Sequence, residues 1–171
     1  MDKPLKKAGI LILVYPVSGF LHTVFIKRNE YNGIHSGQVS FPGGMVEKED
    51  FSVEDTALRE AHEETGLNTS KVKIIGKLTP LHIPASNIDA HPFVGAVMSR
   101  PDFKPDPNEV QYIIELNLND LLNPASQKKK NMLVAGDIIE IPYYDAGKDF
   151  IWGATAMILC EFLEIAGRVV K

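Results

Sequence analysis

Apolar residues near the N-terminus are concentrated in two β-rich runs that are typical of buried strands. These runs, residues 9–15 and 21–27, are separated by the sequence PVSGF, whose proline and glycine signal a hairpin turn. At the other end of the chain, residues 152–166 are apolar with helix-like spacing. The pattern therefore predicts an N-terminal β-hairpin and a C-terminal helix.

A second helix is predicted in the first half of the chain, from Ser52 to Thr65. Ser52 is a typical N-cap with acidic residues in the following turn, and Gly66 is a typical stop signal. The helix follows a short predicted strand, residues 38–41, and a glycine-rich turn.

The faces of this helix are predicted to differ. Glu60, Glu63 and Glu64 stand at i, i+3 and i+4, so they share one face. Leu58 and Ala61 point about 90° or more away from the mean glutamate direction, at ~100° per residue. We therefore expect one flank to pack on a sheet and the three acids to lie at an open edge.

The rest of the chain predicts more strands and no regular βαβ repeat. Strands are expected at 72–81, 92–98, 113–118, 132–135 and 138–144, with loops at 83–92 and 101–108 and a helical turn at 120–122. Strands alternating with two helices indicate an α/β (α+β) fold in which a mixed sheet lies between helical layers. No internal repeat or long linker divides the chain, so residues 1–171 are predicted to form a single domain.

Composition excludes some classes of function. The 171 residues carry a formal net charge of −4, whereas a nucleic-acid-binding surface is strongly basic. No apolar run approaches the length needed to cross a bilayer. The single cysteine, Cys160, cannot form an internal disulfide, which fits a cytoplasmic location, and its apolar surroundings predict core packing.

Three carboxylates on one helical face repel each other, which weakens an isolated helix. A bound Mg²⁺ or Mn²⁺ reverses that effect, because both ions prefer carboxylate oxygens. The simpler interpretation is a solvated acidic face. The neighbouring residues favour the metal site: Gly43 and Gly44 lie upstream, Arg59 precedes the first glutamate, and Gly66 closes the helix.

Residues 43–67 resemble the Nudix box, the signature of hydrolases that cut a nucleoside diphosphate linked to another group. The matching residues are Gly44, Arg59, Glu60, Ala61, Glu63, Glu64, Gly66 and Leu67. The chain departs from the usual box in two ways: Asp50 replaces the early glutamate, and one extra residue lies between it and Arg59. The extra residue resembles the variant box of the coenzyme A pyrophosphatase branch.

A second motif resembles the same branch. Residues 24–44 read VFIKRNEYNGIHSGQVSFPGG, with Arg28, His35 and the GQV and FPGG elements in register. Residues 24–26 replace the branch's Leu-Leu-Thr element, and Gly33 stands where a second arginine is frequent. Residues 151–159, IWGATAMIL, also resemble the C-terminal helix of the branch.

The resemblance implies a Nudix-type α/β/α sandwich with a mixed β-sheet and a catalytic loop-helix-loop. It implies a pyrophosphohydrolase that splits coenzyme A or an acyl derivative into 4′-phosphopantetheine and adenosine 3′,5′-bisphosphate. Glu60, Glu63, Glu64 and the backbone of Gly44 would hold Mg²⁺ or Mn²⁺, with Arg59 orienting the carboxylates.

The resemblance also assigns residues to the substrate and to the general base. Arg28, His35, Gly43 and Gly44 are the candidate contacts to substrate phosphate. The base is either a box glutamate or an acid from a late loop, for which Glu109 is the best candidate.

Other candidates are weaker. His62 is expected at the surface, and His82 and His91 make a weak metal signal. The run Lys128-Lys129-Lys130 could meet an anionic tail, although such a run is usually a solvated loop.

Two alternative functions remain. One is hydrolysis of another nucleoside diphosphate derivative, such as ADP-ribose, NADH or a dinucleotide. The other is a Nudix module that senses a nucleotide without cutting it; such modules commonly lose box glutamates, whereas this chain keeps all three. The sequence leaves self-association into a homodimer open.

Overall fold

The computed structural model describes residues 4–32, 35–134 and 136–169. The expectations for Gly33 and for Ala135, the end of one predicted strand, lie outside these ranges. The strands are β1 (Lys6–Val17), β2 (Phe20–Arg28), β3 (Val39–Ser40), β4 (Gly43–Met45), β5 (Lys73–Lys77), β6 (Leu81–Ile83), β7 (Ile88–Ala96), β8 (Val110–Asn117), β9 (Gln127–Val134), β10 (Asp137–Ala146) and β11 (Asp149–Ile151). The helices are α1 (Val53–Thr65), α2 (Leu118–Leu122) and α3 (Gly153–Ala166), with short 3₁₀ turns at Thr69–Lys71 and Pro124–Ser126.

An eight-stranded mixed sheet forms the centre of the fold. Its order is β3-β2-β1-β7-β5, with β4 paired to β1, β6 to β7 and β8 to β2. The predicted N-terminal hairpin is confirmed, and its turn at Ser18 and Gly19 has positive φ at both residues, as tight hairpins favour. Strands β1 and β7 are parallel, while the other pairs are antiparallel.

Side chains of β1 alternate between two hydrophobic cores, because successive residues of a strand face opposite sides of a sheet. Leu11 and Leu13 belong to the core that contains Ala57 of α1. Ile12 belongs to the other core, which contains Leu159 of α3. The sheet therefore lies between helices, and the α/β/α sandwich is confirmed.

The predicted caps of α1 are also confirmed. The Ser52 hydroxyl accepts a hydrogen bond from the Asp55 backbone N–H at 3.1 Å, and Gly66 ends the helix with φ of 68°. No helix in the described ranges is long and apolar enough to span a membrane.

Three expectations about the second half of the chain are wrong. Residues 88–91, expected in a loop, belong to β7, because their backbone pairs with β1. The run Lys128–Lys130 lies in β9 and not in a loop, since it pairs with β10 in a separate three-stranded sheet, β11-β10-β9. Cys160, expected in the core, is exposed, since the buried stripe of α3 runs through Ile158, Leu159 and Phe162 instead.

Candidate active site

Arg59 is the centre of the site on α1. Its Nε donates to Asp50 Oδ1 at 2.8 Å, and Nη2 donates to Asp50 Oδ2 at 3.0 Å. Its Nη1 donates to Glu60 Oε1 at 2.9 Å and to Glu63 Oε2 at 3.0 Å. The remaining contact goes to the Met45 carbonyl oxygen at 3.0 Å. One guanidinium therefore contacts two box glutamates, a geometry that an orienting role requires; the role itself stays a prediction.

Asp50 anchors this arginine. Besides the two bonds from Arg59, its carboxylate accepts the Glu47 backbone N–H at 2.9 Å and the Thr56 hydroxyl at 2.8 Å. The Arg59 guanidinium holds the pKa of Asp50 well below its usual range. Asp50 has a shorter side chain than the glutamate usual at this position, but Arg59 extends back from the helix and bonds to it. The spacing of the two residues in the sequence did not predict this contact.

Glu64 is buried, in contrast to the open edge expected for all three acids. Its side chain is 1% exposed. Oε2 accepts the Gly43 backbone N–H at 2.8 Å, and Oε1 accepts Arg28 Nη2 at 3.2 Å. Burial raises the pKa of Glu64 to about 7, although Arg28 and Gly43 oppose the shift. Glu64 thus lies beneath the turn, where its two hydrogen bonds do not fully replace the hydration that the charged carboxylate loses on burial.

Glu60 and Glu63 lie nearer the surface. The side chain of Glu60 is 14% exposed and that of Glu63 is 52% exposed. Burial raises the pKa of Glu60, despite its hydrogen bond from Arg59. Gly44 lies directly against the Glu60 carboxylate, since a Cβ there would come within 2.6 Å of Oε1. The turn and the helix therefore meet at this glutamate.

The charges of the site suit a divalent cation. Four carboxylates, those of Asp50, Glu60, Glu63 and Glu64, interact with only two guanidiniums, those of Arg28 and Arg59. In the described ranges no three acidic, histidine or cysteine side chains are grouped so as to hold a metal ion as they stand. Arginine side chains instead donate to oxygens of all three box glutamates. The oxygen-only donor set fits Mg²⁺ or Mn²⁺. The metal assignment stays a prediction that these charges support.

A loop between β7 and β8 docks against the end of α1. The Lys104 N–H donates to the Thr65 carbonyl oxygen at 2.7 Å, and the Asp106 N–H donates to the Glu64 carbonyl oxygen at 3.1 Å. These bonds satisfy carbonyls that a helix end leaves without partners. The exposed Glu109 at the end of this loop repels Glu60 and Glu64 and so adds to their raised pKa.

Two further contacts hold the same loop. Asn29 donates from its side chain to the Pro107 carbonyl oxygen and from its backbone to the Glu109 carbonyl oxygen, both at 2.9 Å. Phe103 packs edge-on against Tyr15, with 5.7 Å between ring centroids. The structure thus brings Glu109 into electrostatic reach of the box, which its sequence position did not show.

Arg28 and His35, the two side chains expected to contact substrate, both bond to neighbouring groups of the protein. Arg28 Nη2 donates to the Gly43 carbonyl oxygen at 3.1 Å as well as to Glu64, and Nε donates to the Ser40 hydroxyl at 3.3 Å. Its contacts are therefore within the protein. His35 Nδ1 lies 3.3 Å from Gln38 Oε1 in the turn before β3. Contact of either residue with substrate stays a prediction.

The weaker candidates lie apart from this network. His62 is exposed, as expected, with Nδ1 2.9 Å from the Leu67 carbonyl oxygen. His82 Nδ1 lies 2.8 Å from Asp89 Oδ1 on β7. The Nε2 atom of His91 is buried without a hydrogen-bond partner in the structure.

Comparison with known proteins identifies the family. Residues 5–135 match the sequence profile of the NUDIX domain. The chain belongs to the Nudix family. It is 33% identical over 163 residues to Nudix hydrolase 15, mitochondrial, of Arabidopsis thaliana, covering 92% of this chain and 57% of that protein. It is 33% identical over 171 residues to the uncharacterized Nudix hydrolase NudL of Pectobacterium atrosepticum, covering 95% and 84%. The chain spans little more than half of its plant relatives.

Solved structures share the fold of this Nudix chain. A Nudix hydrolase from M. smegmatis, RenU, aligns with a TM-score of 0.67 and 14% identity, covering 95% of this chain and 86% of that one. The NUDIX domain of Shewanella oneidensis NrtR complexed with ADP ribose aligns with a TM-score of 0.56 and 20% identity, covering 71% and 78%. At these identities the likeness concerns the fold alone. The expected cytoplasmic location and homodimer stay predictions.

Proposed function

We propose that this Nudix chain hydrolyses a pyrophosphate bond in a nucleoside diphosphate derivative with the help of Mg²⁺ or Mn²⁺. The observation that carries the proposal is the Arg59 network. It holds Glu60 and Glu63 beside a buried Glu64 and leaves more negative than positive charge at the site. A merely solvated acidic face would need neither the arginine anchor nor the burial.

Glu60, Glu63, Glu64 and the carbonyl group of Gly44 would hold the metal ion. When bound, the ion supplies positive charge to the phosphate oxygens and makes a water molecule easier to deprotonate. Arg59 keeps the carboxylates in place while the charge on the substrate changes, because its own position is fixed by Asp50. Preorganised charges of this kind need no rearrangement during the reaction.

Glu109 is the proposed base that removes the proton from the attacking water. Its loop is bonded to the end of α1 and to Asn29, so its backbone is held relative to Glu64. Its exposed carboxylate can meet both water and substrate. Glu60, with a pKa raised by burial, is the alternative base.

Coenzyme A or an acyl-coenzyme A is the proposed substrate, with 4′-phosphopantetheine and adenosine 3′,5′-bisphosphate as products. The support is the extra residue in the box and the motif around Arg28, His35 and Gly44. The carbonyl of Gly43 and the carboxylate of Glu64 both accept bonds from Arg28, which ties this motif to the metal-binding end of the site.

The test combines a substrate panel with a charge-removing variant. Purified protein with Mg²⁺ or Mn²⁺ is assayed against coenzyme A, ADP-ribose, NADH and nucleoside triphosphates, with the products separated by chromatography. Glu64→Gln should lower turnover on the preferred substrate at least ~10²-fold, since it keeps the shape but cannot become the carboxylate that would hold the metal. Glu49→Gln is the control, because Glu49 is an exposed acid of the same box loop.

Three results would contradict parts of the proposal. Near-wild-type turnover of Glu64→Gln at saturating metal removes the metal assignment. A preference for ADP-ribose or NADH over coenzyme A removes the substrate assignment but keeps the reaction. Metal-dependent nucleotide binding without hydrolysis of any compound favours a sensing module.

A further inference from the structure

Two lysines lie over aromatic rings where the second sheet meets the central one. Lys130 Nζ is 3.1 Å from the centroid of the Phe150 ring and 5.6 Å from that of Tyr143. Lys148 Nζ is 3.9 Å from the centroid of the Tyr112 ring. We call these five residues the lysine–aromatic patch. The match to the NUDIX domain ends at residue 135, so most of the patch lies beyond it.

The two ammonium groups have no carboxylate partner within ion-pair distance in the described parts of the chain. Their neighbours in sequence differ, because Lys128 pairs with Asp145 and Lys129 pairs with Glu140 at 2.9 Å. Asp149, which follows Lys148 in the chain and interacts with its charge, already accepts Lys27 at 2.9 Å and the Tyr112 hydroxyl at 2.7 Å. The patch therefore carries surplus positive charge in a chain whose net charge is −4.

Strands β2 and β8 connect the patch to the box. Lys27, which holds Asp149, is followed by Arg28, which holds Glu64. Tyr112 pairs with Lys27 and follows Glu109 by three residues, which span at most about 10 Å of extended chain. Arg28 is the last residue of β2 and Glu109 immediately precedes β8, so the patch and the box lie near the same end of these two strands.

We propose that the lysine–aromatic patch binds the phosphate-bearing nucleotide half of the substrate. Lys130 and Lys148 meet a phosphate monoester, and the rings contact the base. Each ammonium group is held on one side by a ring and keeps its other N–H groups for an anion, while the parts of the rings that the lysines leave uncovered can contact a nucleobase. The inference rests on the proposed function, which supplies a substrate with an adenosine 3′,5′-bisphosphate half.

Direct binding of adenosine 3′,5′-bisphosphate tests the inference without hydrolysis. Isothermal titration in EDTA removes any contribution from a metal at the box. Lys130→Gln/Lys148→Gln should bind at least ~10-fold more weakly than wild type, since each lost ammonium removes a charge-assisted bond. Lys129→Gln is the matched control, because Lys129 belongs to the same run but pairs with Glu140. Adenosine 5′-monophosphate should be less affected by the double substitution than the bisphosphate.

The outcomes separate this inference from the proposed function. Equal affinities of wild type and the double variant overturn it, as does an absence of saturable binding by wild type. If wild type cuts coenzyme A, the double variant should raise KM far more than it lowers kcat, and an effect on kcat alone overturns the inference. If wild type does not cut coenzyme A, the substrate proposal fails, while the titration still decides whether the patch binds this nucleotide.

Discussion

The adjacent glycines of the box turn should respond in opposite ways to a single added methyl group. At Gly44 the new Cβ would meet the end of the Glu60 side chain, 2.6 Å from Oε1. At Gly43 it would meet backbone, 2.9 Å from the Ile10 Cα, at a φ of 155°. A side-chain end can move, whereas a paired strand cannot move without loss of its hydrogen bonds.

Gly44→Ala should therefore keep the fold and impair the site. Glu60 must leave its present position, which breaks or lengthens its bond from Arg59. A hydrogen bond between charged groups contributes about 1.5–3 kcal/mol. If this positioning is what the metal and the transition state require, turnover or apparent metal affinity should fall about 10- to 100-fold.

Gly43→Ala should instead lower stability. Backbone strain at an unfavourable φ costs about 1–3 kcal/mol, and overpacking costs a similar ~1–3 kcal/mol. The sum, about 2–6 kcal/mol, corresponds to a fall in Tm of roughly 5–20 °C for a chain of this size. Gly76→Ala is the control, because a Cβ at Gly76 has no atom within 4 Å.

The assay is thermal melting in EDTA, followed by turnover as a function of Mg²⁺ concentration. We expect Gly43→Ala to melt clearly below wild type and Gly44→Ala to melt close to it. Wild-type turnover and metal dependence in Gly44→Ala would refute the role given to the contact with Glu60. A Gly44→Ala protein less stable than Gly43→Ala would refute the packing argument.

Two other predictions concern titration and the base. The folded chain keeps a proton on Glu64 up to about pH 7, whereas the unfolded chain releases it near the ordinary value of 4.5. The contribution of Glu64 to metal-free stability should therefore be complete below pH 4.5 and fall by up to ~3 kcal/mol as pH rises toward 7. The difference in stability between wild type and Glu64→Gln, measured in urea melts across this range, should follow that slope. Glu109→Gln should lower kcat more than it changes metal affinity, since Glu109 is not one of the proposed metal ligands; a kcat within about twofold of wild type from pH 6 to 9 would move the base to Glu60.

Local signals in the sequence were sufficient to predict the N-terminal hairpin and the box helix. The hairpin at Ser18 and Gly19 and the helix between Ser52 and Gly66 depend on turn and cap chemistry within a few residues. The box face was predictable for the same reason, because helical spacing alone puts its glutamates together. The strand at residues 88–91 was missed, since a parallel partner more than eighty residues away in β1 leaves no local pattern.

The burial of Glu64 could not be read from helical spacing either. Its depth is set by residues outside the helix: Gly43 donates a backbone N–H, and Arg28 lies across it from β2. Periodicity gives the direction of a side chain, but not which other strand covers it. The raised pKa of Glu64 is thus a property of the tertiary structure.

Arg28 shows why a motif predicts a reaction more securely than it predicts the role of each residue. From its position in the motif it was expected to meet a substrate phosphate. In the structure its guanidinium bonds to Glu64, to the Gly43 carbonyl and to Ser40, so removing it would first leave a buried acid without its cation. A loss of substrate affinity in an Arg28 variant would therefore not by itself identify a phosphate contact. A comparison of coenzyme A with dephospho-coenzyme A, which differ only in the 3′-phosphate, tests one such contact. An Arg28 variant that loses this discrimination would assign the 3′-phosphate to Arg28 and not to the lysine–aromatic patch, whereas displacement of Glu64 weakens both substrates alike.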